Sequence, residues 1–87
     1  MKNVTNLFAA HVNMQLIMEA GGLQSASESV ESIEGYLYAL GDLGLINEEV
    51  NRIHEKSLKA FYGGPEEGRK ARIDIATIAQ EAKTELA

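Results

Sequence analysis

Glycines standing in pairs, together with a single proline, cut this chain into four segments, and that punctuation constrains its fold more than any other feature. Gly21-Gly22, Gly44 and Gly63-Gly64-Pro65 separate stretches in which apolar residues recur every three or four positions, the period of a helix buried on one side. No stretch shows the strict alternation of a half-buried strand, and no internal repeat or low-complexity run appears. The expected fold is therefore all-α: a compact bundle of about four short helices forming one domain over residues 1–87.

The segment ends carry local signals that fix where each helix starts and stops. The first helix spans about Asn3 to Ala20 and ends at Gly21-Gly22, a pair able to adopt the left-handed conformation of a helix C-terminus. Ser25 and Glu28 in "SASE" have the spacing of a capping box. From there Ala26, Val30, Ile33, Leu37 and Leu40 mark the buried stripe of a second helix reaching about Leu43. Gly44 ends it, and Asn47 followed by Glu48-Glu49 caps a third helix with acids in its first turn, where the helix dipole favours them. "GDLGLINEEV" is thus a tight helix-turn-helix corner, with Leu45 and Ile46 expected to tuck beneath it. The third helix continues through Val50, Ile53, Ser57, Leu58 and Phe61. Pro65 suits the first turn of the fourth helix, where its missing N–H has no partner to lose. That helix places Ala71, Ile75, Ile78, Ala79, Ala82 and Leu86 on one face.

Helix 1 differs from the others. Val4, Leu7, His11, Met14 and Met18 alternate at spacings of four and three, a heptad seam, and Phe8, Val12 and Leu16 widen the apolar arc beyond it. A helix apolar over so much of its circumference needs neighbours on more than one side. An 87-residue chain buries only about 60 to 65% of its unfolded surface, so a homodimer is expected, with that seam at its interface. The alternative is that helix 1 is the central helix of a monomeric bundle.

Composition removes several function classes. With no cysteine, disulfide staples and thiolate zinc sites are excluded, and a reducing, cytoplasmic setting fits. The N-terminal "MKNVTNLFAAHVNMQLIMEAGG" is interrupted by Asn, His and Gln before any unbroken apolar core forms, so it is read as a mature helix and not a signal peptide. No segment approaches the ~20 apolar residues of a membrane span. A net charge of −5 disfavours general binding to nucleic-acid phosphates.

His11 and His54 lack the second ligand at i+3 or i+4 that helical metal sites use, so no metal or cofactor is expected, and both are read as packed, hydrogen-bonded histidines. If so, burial disfavours their charged forms. Glu48 with Arg52 and Glu55 with Lys59 have the spacing of solvated intrahelical ion pairs. Arg69, Lys70 and Arg72 form the single basic cluster, flanked by Glu66, Glu67 and Asp74. No nucleophile and base pairing is visible, so an enzyme is not expected.

The more informative surface is the polar face of helix 2, where Ser27, Glu31, Glu34, Tyr38 and Asp42 line up opposite the core stripe. An aromatic ring among carboxylates has the composition of a binding hot spot: the ring supplies area and the acids select a basic partner. The competing reading is that Tyr38 packs within its own fold.

At "YLYALGDLGLINEEVNRIHEK", about a quarter of the chain, the sequence resembles small helical proteins encoded by bacteriophages and mobile elements, in which an apolar helix runs into a "DLGLI" corner and an acidic N-cap. The resemblance implies a compact protein acting in the bacterial cytoplasm by binding a host or phage protein, as an anti-CRISPR inhibitor or a modulator of host transcription or replication does. It supplies no catalytic residue to carry over. The expected function is accordingly non-enzymatic occlusion of a partner's site through Glu31, Glu34, Tyr38 and Asp42. The alternative is a helix-turn-helix DNA-binding regulator, against which stand the acids opening its candidate recognition helix.

Overall fold

The capping signals act where they stand. A computed structural model describes residues 4–86, with side chains through residue 81. It consists of α1 (Val4–Ala20), α2 (Ala26–Asp42), α3 (Glu48–Tyr62) and α4 (Pro65–Leu86), with no strand among the described residues. Asn3, the expected start of α1, lies outside them.

Ser25 Oγ accepts the Glu28 N–H at 3.1 Å while Glu28 Oε1 accepts the Ser25 N–H at 2.9 Å, so both halves of the capping box form. Asn47 Oδ1 accepts the Val50 N–H at 2.8 Å and starts α3. At the corner Gly44 has a φ of 69°. Its N–H reaches the Gly41 carbonyl at 3.0 Å, and the Leu45 N–H reaches the Leu40 carbonyl at 2.9 Å. This paired closure satisfies carbonyls that the end of α2 would otherwise leave open.

Leu45 is half-buried and packs on the core, as expected. Ile46 does not follow it: 41% of its surface is exposed. Its Cδ1 still lies over Gly41 of α2, where a Cβ would come within 3.2 Å of it, so Ile46 is covered on one side while Leu45 reaches the core.

The core joins Phe8, Val12 and Leu16 of α1, Ile33 and Leu40 of α2, Val50 and Ile53 of α3, and Ile75 of α4. Helix α1 packs against all three others, most extensively against α4, while α2 and α4 do not meet among the described residues. It is therefore the central helix within the chain, and its broad apolar arc serves three neighbours. Helices α3 and α4 approach closely because the residues between them are small. Gly68 is buried, and a Cβ there would lie 3.3 Å from the Lys59 carbonyl oxygen and 3.4 Å from that of Ala60. On α4, Ala71, Ile75 and Ala79 are buried and Ile78 is half-buried. Ala82 and Leu86, assigned to the same face, lie outside the residues whose side chains are described.

Polar groups also link the helices. Gln15 and Ser29 are buried, and Gln24 Nε2 ties them together, donating to Ser29 Oγ at 2.7 Å and to Gln15 Oε1. Buried polar atoms need such partners. The ion pairs run between helices: Lys56 with Asp74 at 2.9 Å, Arg72 with Glu19 at 3.1 Å and Lys59 with Glu67 at 3.6 Å. The intrahelical pairs expected from spacing, Glu48 with Arg52 and Glu55 with Lys59, do not form among the described residues. Lys59 is drawn to Glu67 across the α3–α4 seam because the close approach of the two helices brings that carboxylate within reach.

Candidate interaction surface

Because Ser29, Ile33 and Leu40 turn into the core, the helical period carries Glu31, Glu34, Tyr38 and Asp42 to the other side of α2. The eleven steps from Glu31 to Asp42, at about 1.5 Å each, make this strip roughly 16 Å long. Tyr38 is 71% exposed, with Glu34 one turn before it and Asp42 one turn after. Ser27, Glu31 and Asp42 are also exposed. Glu34 is half-buried, its Oε2 lying 3.6 Å from His54 Nε2 on α3. That separation exceeds a hydrogen bond, and His54 Nε2 is buried with no hydrogen-bond partner among the described residues. Glu34 therefore leans toward α3, whereas the ring and the other two carboxylates face outward.

The seam of α1 is used differently along its length. Val4 packs on the core; Leu7 and Met18 are half-buried, and Met14 is 53% exposed. His11 stacks on Tyr36 of α2, ring centroids 4.6 Å apart, with Nε2 3.4 Å from Ser32 Oγ. Burial pushes the His11 imidazole below its ordinary value, and the contact with Ser32 offsets part of that shift.

Sequence reasoning missed a second apolar surface. Ile17 of α1 is 57% exposed and Ile73 of α4 is 54% exposed, and both line a groove of about 280 Å³ together with Leu16, Ala20 and Ala76. The missed signal was that Ile73 falls off the core stripe of its own helix, an apolar residue where the period calls for a polar one.

The basic cluster is dispersed. Arg69 and Lys70 are exposed, whereas Arg72 reaches Glu19 and lies 5.7 Å from the Phe61 ring centre. A recess of about 200 Å³ beside them is lined by Lys56, Lys59, Lys70, Glu67 and Asp74, and two of its three lysines are already paired with those carboxylates. At the start of α3, Glu48 and Glu49 are both exposed. Among the described residues no group of His, Cys, Asp and Glu is arranged to hold a metal ion, and no helix is long and apolar enough to cross a membrane. Comparisons with protein-family models, with curated proteins and with solved structures find no match for this chain.

Proposed function

We propose that this chain is a non-enzymatic interaction protein that works by occlusion, laying the outer face of α2 over a functional site of a partner protein that binds through Lys and Arg. One observation carries the reading: Tyr38, 71% exposed, stands in the middle of an acidic strip on a helix whose opposite face buries Ser29, Ile33 and Leu40. An aromatic ring held at the centre of a surface by a rigid helix is suited to a hot spot, and carboxylates around it steer a basic partner into place. The resemblance to phage and mobile-element proteins supports a setting in the bacterial cytoplasm, with a host or phage protein as partner and an anti-CRISPR-like inhibitor as the type case. Self-association as a homodimer belongs to the same reading, since α1 and α4 leave Met14, Ile17 and Ile73 more than half exposed. A DNA-binding role is the weaker reading, because exposed Glu48 and Glu49 would meet phosphates at the end of α3 that such helices point into the groove.

The test is affinity capture from a bacterial lysate with the parent chain and a Tyr38→Ala variant side by side. A stoichiometric protein recovered by the parent and lost by the variant supports the proposal. Equal recovery by both places the contact elsewhere, and nuclease-sensitive recovery of DNA favours the regulator.

A further inference from the structure

The exposed isoleucines of α1 and α4 belong to one surface. Ile73 and Ala76 form a ridge on the outer side of α4 with a depression on either side. One is the groove shared with Ile17, Leu16 and Ala20 of α1; the other is bounded by Thr77, Gln80 and Glu81 further along α4. A ridge beside a groove of matching apolar lining is the shape that helices use to pack on helices. Here one surface carries both shapes.

Charges of opposite sign stand at its margins. Arg69 lies four residues before Ile73, and Glu81 lies four residues after Thr77. Both are exposed, and neither forms an ion pair among the described residues. When two copies of α4 run antiparallel about a twofold axis passing between Ile73 and Thr77, Ile73 of each copy meets Thr77 of the other. The same register sets Arg69 opposite Glu81, twice.

We propose that this α1–α4 face is where two copies of the chain pair, with α4 antiparallel to its counterpart. The proposal rests on the homodimer reading above, moves its interface from the seam of Val4, Leu7, His11, Met14 and Met18 to the α1–α4 face, and adds a register. A twofold interface uses the same patch on both copies, and the exposed Arg69 and Glu81 of one chain are complementary in charge to the Glu81 and Arg69 of a second in this register. A standard interface covers about 800 Å² of each partner, roughly a seventh of the 5389 Å² that this chain exposes. Pairing through the α1–α4 face leaves Tyr38 on α2 clear, since α2 and α4 do not meet among the described residues. Each dimer therefore presents two copies of the acidic strip.

Sedimentation equilibrium on the full chain and three variants tests this, with far-UV circular dichroism to confirm folding. The parent should dimerise at micromolar concentration. Ile73→Glu should weaken dimerisation at least ~30-fold, because it places a charge at the centre of an apolar contact. Arg69→Glu should weaken it roughly tenfold by turning both salt bridges into repulsions, and adding Glu81→Arg to the same chain should restore affinity to within about threefold of the parent. A parent that dimerises while Ile73→Glu has no effect would overturn the α1–α4 face and leave the homodimer reading standing. A parent near 9.5 kDa at all loadings would overturn both. Failure of the double charge exchange to recover what Arg69→Glu loses would overturn the antiparallel register. If Ile73→Glu does not fold, the charge series on the exposed margin decides alone.

Discussion

Gly44 gives the most direct measure of what the α2–α3 corner contributes to the fold. Its φ of 69° lies where the Cβ of an L-residue crowds the following carbonyl, at a penalty of about 1–2 kcal/mol. A Cβ built on Gly44 meets nothing within 4 Å, so packing adds no term for alanine and the effect there is backbone strain. The size of the loss should then follow tolerance of positive φ and not side-chain volume. Gly44→Asn should be the mildest change, Gly44→Ala should lose about 1 kcal/mol, and Gly44→Val, β-branched, about 2 kcal/mol. In a domain of this size each kcal/mol moves the melting temperature by about 4–8 °C, so the valine variant should melt about 8–16 °C below the parent. Thermal unfolding followed by circular dichroism at fixed protein concentration makes the comparison clean, because self-association would otherwise shift the midpoint. A valine variant that melts with the parent would refute a left-handed corner. Equal losses for Asn and Val would show that something other than φ is responsible.

Substitutions at four other positions probe the remaining features. Tyr38→Ala should change stability by no more than about 0.5 kcal/mol, since the ring is exposed, yet weaken partner binding by about 2 kcal/mol, a roughly thirtyfold loss by calorimetry; a variant that unfolds would place the ring in the core. Ser29→Ala should cost about 1–3 kcal/mol in urea unfolding, because the Gln24 amide loses one of its two buried acceptors. Gly68→Val should cost about 1–3 kcal/mol by forcing α3 and α4 apart, and Gly68→Ala less; identical urea midpoints would show that the two backbones are not in contact. For His11 the folded value is lowered, so the unfolded chain takes up a proton first as the pH falls. Its contribution is complete above the ordinary value of 6.5 and is lost as the pH drops through the lowered folded value. His11→Phe keeps a ring on Tyr36 and should remove that part of the pH dependence, read as the difference between the two stability profiles.

What could be read from the sequence was local. Ser25 with Glu28, Asn47 before Glu48, Gly44 after Leu43 and Pro65 at the head of α4 each act on backbone groups within a few residues of themselves. Four helices and their limits follow from those signals wherever the helices end up in space. The inward stripe of α2 is equally local, because a helical period that buries Ile33 and Leu40 must turn Tyr38 away. Tertiary structure decided what depends on how the helices are rotated and spaced against one another. Glu34 leans toward His54 and Arg72 toward Glu19, contacts that no spacing suggested, and Lys59 reaches Glu67 across the seam opened by Gly68 where spacing along its own helix suggested Glu55. Likewise, the apolar circumference of α1 did not say which part would be covered. Only the placement of three neighbours around it buries Phe8, Val12 and Leu16, turns His11 onto Tyr36 and leaves Ile17 beside Ile73. Those outcomes are set by contacts between residues far apart in the chain, to which no local pattern of spacing or charge refers.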